Sequence, residues 1–280
     1  MEANTVVERM NCLQAVFKDA KMYAAAATNQ EAIAVYNNTL AAPFVSVAYE
    51  AAAMALAVKD CQEGEQLNNW MPFLEQNRAH TTQIYIGLGW ALAQERKAWN
   101  TYLDKLNPLW TWRVVDGYGY YDGFFRRRKV FQGIYADGLT PEGLTVYMQG
   151  LGRSLWYTAK GDAQKLLGLL EKLPKEQQPN LWRGIGIAST YVGGEDLSEK
   201  GQALWNAAES YRGALATGVA MATDSRIKAG TLDEYSQWAV RKWCQLSVEE
   251  LSAVLAEKKK KSAYFDWIKE LETFFYHNFQ

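Results

Sequence analysis

Residues 150–157 read GLGRSLWY; 34 positions on, residues 184–186 read GIG, and the same interval leads to Gly218-Val219-Ala220. Upstream, Gly117-Tyr118-Gly119 lies 33 residues before Gly150, and Gly87-Leu88-Gly89 lies 30 before that. Four residues after the first glycine a small residue recurs at Ala91, Ser154, Ala188 and Ala222, with Tyr121 the exception. Glycine inside a helix costs about 1 kcal/mol relative to alanine. A repeated helical glycine therefore needs a compensating contact, and close approach of a neighbouring helix to a small i, i+4 face supplies one. A period near 34 residues is that of a two-helix hairpin of the tetratricopeptide kind, with 162–173 and 199–211 as second helices. Trp182, Ile185 and Gly186 keep the W-x-x-L-G spacing, while the later Ala and Pro positions are irregular. The chain reads as all-α: a tetratricopeptide-like stack of helical hairpins, or an irregular helical bundle with glycines at its tight crossings.

Working outward, helix-forming composition covers residues 43–60, 72–106, 141–160 and 197–228. Pro43, Pro72 and Pro141 each open such a run, where a first-turn proline sacrifices no hydrogen bond, and Thr140 is placed to cap the third. Asn-Gly turns between alternating apolar runs, the strongest hairpin signal, are absent. With 49% hydrophobic residues and no linker rich in Gly, Ser or Pro, a single domain is expected over 1–280, with 80–230 as its repeat core. The polar break at 62–69 (QEGEQLNN) is too short to separate domains.

Thirty basic residues against 31 acidic ones leave no cationic excess for a nucleic-acid binder. Cys12, Cys61 and Cys244 form no CxxC pair, and His80 and His277 are the only histidines. A disulfide framework, a zinc ribbon and a multi-histidine metal site are thereby excluded. No GxSxG elbow is present. The N-terminus lacks a basic region followed by an apolar run, and the most apolar stretch, AAAMALAV at 51–58, is far short of a membrane span. A soluble cytoplasmic protein without a membrane span is the expectation. The run KKKK at 258–261 reads as a solvated helix end, and the aromatic helix after it as packed on the core.

Chemistry concentrates in residues 116–129, DGYGYYDGFFRRRK, with two carboxylates, three glycines, five aromatics and four consecutive cations. Its glycines imply a helix that is either broken there or tightly covered by neighbours. Asp116 and Asp122 are six apart and would not share one face of a straight helix, so a metal-binding pair requires a bend. No cofactor is called for, and a divalent ion such as Mg2+ has no supporting motif. Asp116, Asp122 and Tyr120 are the candidate catalytic groups, since burial raises a carboxyl pKa toward the range useful for acid–base work. Tyr118, Tyr121, Phe124 and Phe125 are candidates for an aromatic substrate wall. Arg153 and Arg183, beside repeat glycines and close in sequence to Trp156 and Trp182, complete the candidate binding set. If the glycine faces pack inward these arginines need partners, and Asp116 is the candidate, as an Asp116–Arg153 or Asp116–Arg183 pair. The bland alternatives are aromatics serving only as core, RRRK as a solvated face and Asp116 satisfying backbone amides.

The ordered set GLGWALA (87–93), WRVVDGYGYYDGFF (112–125), GLGRSLWY (150–157), LWRGIGIASTYVGG (181–194) and YRGALATGVAMA (211–222) resembles a bacterial family of unknown function, the domain-of-unknown-function 1702 family. That family includes proteins encoded with enediyne polyketide biosynthesis genes. The resemblance covers residues 80–230; members often carry Phe-His after DGYG, where this chain has Tyr120-Tyr121. It implies natural-product biosynthesis without a redox cofactor, on a hydrophobic polyene or isoprenoid-like small molecule held in an aromatic-lined helical cavity. The implied chemistry is acid/base cyclisation or isomerisation of a terpene-cyclase-like kind, although no DDxxD or DxDD sequence is present. The alternative is a non-catalytic helical-repeat scaffold or carrier in a polyketide pathway. The two separate on whether the DGYGYYDGFF aromatics enclose a pocket of roughly several hundred Å3. Whether the chain forms a homo-oligomer is left open.

Overall fold

A computed structural model describes residues 5–64, 66–259 and 264–279. The protein is all-α, with no strand among the described residues. Its helices in chain order are α1 (Val6–Ala26), α2 (Gln30–Asn38), α3 (Ala42–Glu63), α4 (Trp70–Gln76), α5 (Thr81–Gln94), α6 (Trp112–Phe125), α7 (Arg127–Val130) and α8 (Pro141–Thr158). After these come α9 (Ala163–Leu170), α10 (Gln178–Val192), α11 (Leu197–Ala208), α12 (Arg212–Ala229), α13 (Glu234–Ala239), α14 (Val248–Lys259) and α15 (Tyr264–Asn278).

Local chemistry sets several boundaries. Thr5 and Glu8 close a capping box on α1, Thr140 accepts from the Gly143 amide at the start of α8, and Asp162 caps α9. Two helix-forming runs are interrupted. Residues 72–106 divide into α4, α5 and a stretch of turns entered through Arg96 at φ 55°. Residues 197–228 divide at Glu209, whose backbone turns to φ 43°. Composition cannot register such breaks, because the residues at them are good helix formers.

Six helices, α3, α5, α6, α8, α10 and α12, stand side by side in that order. The glycine repeat sets their spacing. The first glycine of each pair faces the preceding helix and meets the carbonyl of the residue just before that helix's own first glycine: Gly117 meets Ile86, Gly150 meets Asp116, Gly184 meets Gln149 and Gly218 meets Arg183. The second faces the following helix three residues ahead of its first glycine: Gly89 meets Val114, Gly119 Tyr147, Gly152 Leu181 and Gly186 Leu215. A Cβ at any of these eight positions would come closer than 3.0 Å to that oxygen. Residues two apart lie roughly 200° apart around a helix, so one G-x-G pair serves both sides of the row.

Neighbouring helices of the row run in the same direction where their C-terminal ends adjoin: Arg126 at the end of α6 donates to the Ala93 carbonyl of α5, Arg127 to Thr158 of α8, and Arg226 of α12 to the Tyr191 carbonyl of α10. The row then closes on itself. Ser46 of α3 meets Thr231 just beyond α12 at 3.1 Å, and Ser225 of α12 meets Thr82 of α5 at 3.2 Å. Helices α9 and α11 provide the second helix of a hairpin only in the C-terminal half; turns, a single 3-10 turn at Leu103–Lys105 and the four-residue α7 take their place between α5 and α8. Helix α1 packs on α3, tied to α10's end by Arg9 donating to the Val192 carbonyl and to α5's end by Lys21 donating to Gln94 at 2.8 Å. Helix α15 buries Trp267, Ile268, Leu271 and Phe275, partly against α12. Helix α3 extends the apolar stretch seen at 51–58 to 22 residues, long and apolar enough to cross a membrane, yet 67% of its most apolar 18-residue window is buried inside this fold. The three cysteines are free. Of the lysine run at 258–261, Lys258 is half-buried beside Glu257; Lys260 and Lys261 and the side chain of Lys259 lie outside the described residues.

Candidate functional site

The ring encloses a cavity of about 360 Å3. Its lining follows the repeat. Counting from each first glycine, positions −4, −1, +3 and +7 fall on one stripe between the two glycine-bearing sides. On α6 that stripe is Arg113, Asp116, Tyr120 and Phe124; on α5 it supplies Gln83, Ile86 and Trp90; on α8, Arg153 and Tyr157; on α10, Ile187 and Tyr191; on α12, Met221 and Ser225. Leu13, Gln14 and Phe17 of α1 cover one side, and Phe125, 67% exposed, marks the opening.

A charged cluster crosses this apolar space. Arg153 donates to Asp116 at 2.6 Å and reaches Glu50 of α3 at 3.4 Å, with its guanidinium 4.1 Å from the Tyr120 ring centre. Gln149 donates to the second Asp116 oxygen and accepts from Arg183 at 2.6 Å, so the −1 residues of α6, α8 and α10 form one hydrogen-bonded chain. Asp116 thus receives two donors. Glu50 has a longer contact to Arg153, and burial pushes its carboxyl up to about 7 against the opposing pull of Arg153, with the nearby Asp116 carboxylate adding to the rise. Burial also pushes the Tyr157 hydroxyl up to about 12 and holds that of Tyr120 well above its usual range.

Of the residues singled out in the sequence, Asp116, Tyr120, Phe124, Phe125 and Arg153 come together at the cavity, and the Asp116–Arg153 pair forms. Arg183 stays outside, binding Glu272 at 2.5 Å and Asn180 at 2.8 Å. Asp122, Tyr118 and Trp182 point away from the cavity, because positions +5, +1 and −2 face outward when +3 faces in. There Asp122 accepts from Tyr147 and pairs with Arg126, Tyr118 donates to the Lys97 carbonyl, and Trp182 stacks on Tyr211. Trp156 is fully buried in the core, and Tyr121 packs against Phe125 and Trp90 beside the lining. The DGYGYYDGFF segment is an unbroken helix tightly covered by α5 and α8. No group of three or more His, Cys, Asp or Glu side chains with metal-ligand placement occurs among the described residues.

Glu50, Trp90, Tyr157 and Tyr191 were missed in the sequence. Glu50 had a signal, as the lone charge in the run Val45–Val58; a carboxylate with apolar neighbours on all sides of a helix belongs to an interior. Its raised pKa has a measurable consequence. The folded protein keeps a proton on Glu50 that the unfolded chain releases near 4.5, so this group's contribution to stability declines as pH rises from 4.5 to about 7, by on the order of 3 kcal/mol. Glu50→Gln is expected to remove that decline in denaturant unfolding measured below and above this window; parallel declines in both proteins would refute it.

No curated protein and no solved structure matches the chain. A family model described as "Protein of unknown function (DUF1702)" matches residues 2–274, so the likeness extends well beyond 80–230 and takes in α1, α3 and most of α15. The chain belongs to the DUF1702 family of proteins of unknown function.

Proposed function

We propose that the protein binds a largely apolar small molecule, of polyene or isoprenoid-like character, inside the helical ring and moves a proton to or from it. The observation that carries this reading is an aromatic-lined cavity of about 360 Å3 containing a carboxyl, Glu50, held near 7. Glu50 takes the proton-transfer role, and Arg153 with Asp116 positions it; Asp116, bound to two cationic or amide donors, is the less suitable proton carrier. A carboxyl of this strength is too weak to protonate an isolated double bond. The reading therefore narrows to isomerisation or ring closure at a carbon polarised by a neighbouring group. A setting in enediyne or related polyketide biosynthesis, suggested by the sequence resemblance, is compatible with such a substrate. The cavity also favours a small-molecule role over a repeat scaffold, whose binding surface would be an open concave face.

Metabolite profiling tests this in three strains: wild type, a deletion and one encoding Glu50→Gln. The Glu50→Gln strain is expected to accumulate the same precursor as the deletion. A wild-type profile in that strain, with the deletion profile altered, would replace catalysis by carriage.

A further inference from the structure

The buried arginines of this protein are held by protein anions or carbonyls, with one exception. Arg9 is bound by Asp233 and the Val192 carbonyl, Arg226 by Asp233 and the Thr231 carbonyl, Arg153 by Asp116 and Glu50, and Arg183 by Glu272. Arg113 is only 7% exposed and lines the cavity. Its guanidinium lies 5.2 Å from the ring centre of Tyr264, and no carboxylate or carbonyl among the described residues pairs with it. Arginine stays protonated in a protein, and the Arg113 nitrogens, unlike single nitrogens of Arg9, Arg153 and Arg226, are not sealed off from the cavity space, where a cation in largely apolar surroundings gains from a counter-charge. A ligand anion completes it.

The rest of the α6 stripe says what is attached to that anion. From Arg113 the lining continues through Asp116 and Tyr120 to Phe124, eleven residues or about 16 Å along the helix, ending at the opening marked by Phe125. Charge limits the head group. Arg153, the other cation on the lining, is balanced by Asp116, and Glu50 keeps its proton up to about pH 7, so Arg113 leaves one positive charge and a monoanion balances it; a diphosphate would not be balanced. Gln83, at the matching position of α5, donates to the Tyr191 hydroxyl at 2.8 Å and leaves its Oε1 buried without a partner. With its amide reversed it would accept from Tyr191 and turn its NH2 group to the position that the orphaned oxygen occupies.

We infer that the cavity takes an elongated apolar carboxylate, its head at Arg113 and its body along α6 toward Phe124. This rests on the small-molecule reading proposed above and narrows its substrate class.

The test uses the full chain with a fluorescent polyene fatty acid, cis-parinaric acid, and its methyl ester. Wild-type protein is expected to bind the acid about tenfold or more tightly than the ester, the gain from one charge-assisted contact. Arg113→Met should bring the two to equal affinity, and Arg113→Lys should keep part of the preference. Equal affinity of the wild type for acid and ester overturns the carboxylate subsite while leaving the apolar cavity reading in place. Binding of neither probe overturns that reading and this one together. If Arg113→Met loses its helical circular dichroism, the acid-to-ester ratio in the wild type and in Arg113→Lys decides.

Discussion

Gly150→Ala is expected to destabilise the protein by about 3 kcal/mol or more. The added methyl would be driven into the Asp116 carbonyl oxygen and would lie 2.8 Å from both the Asp116 carbonyl carbon and the Tyr120 amide nitrogen. These atoms belong to the backbone of a helix fixed on its far side by the next glycine contact, so no rotamer change relieves the clash. Gly168→Ala is the control. Gly168 sits in helix α9, is exposed and has nothing within 4 Å of where its Cβ would be; the same substitution there is expected to stabilise by roughly 0.5–1 kcal/mol. Denaturant unfolding of the two variants checks the pair. Similar stabilities would refute the idea that glycine contacts join the helices of the ring.

Arg153→Met is expected to cost about 3–5 kcal/mol. Methionine fills much of the same space, so the loss is chiefly electrostatic: Asp116 and Glu50 would face each other in an apolar interior without their shared cation. Adding Glu50→Gln to Arg153→Met removes one of the two stranded carboxyls and should recover part of the loss, so the pair is non-additive in a double-mutant cycle. A single-variant cost no larger than that of a surface substitution, or strict additivity, would show that the cluster does not act as a unit.

Much of this architecture is written in the glycine interval. It recurs because each crossing repeats the same register, and Gly150, Gly184 and Gly218 each announce the position of the preceding helix. Helix α3 escapes this reading because it meets Gly87 with the Glu50 carbonyl and Ala53, using alanine where other members of the row use glycine. Ring closure escapes for a different reason: Ser46 and Thr231 are 185 residues apart, and a hydroxyl pair leaves no local pattern. At the site, Asp116 and Arg153 were legible because a charge beside a packed glycine needs a partner. Asp122, Tyr118 and Trp182 were grouped with them by closeness in sequence, whereas helical phase separates them. Carrying the phase of Tyr120 and Phe124 to the other repeats would have pointed to Trp90, Tyr157 and Tyr191.

The G-x-G pairs look sideways while the −4, −1, +3 and +7 residues look inward, so frame and contents are encoded by different letters of the same repeat. The bore of the ring is set by main-chain contact and the number of staves, hardly by what lines it. Residues such as Ile86, Ile187 and Met221 can accordingly be exchanged to reshape the cavity without disturbing the contacts that space the helices.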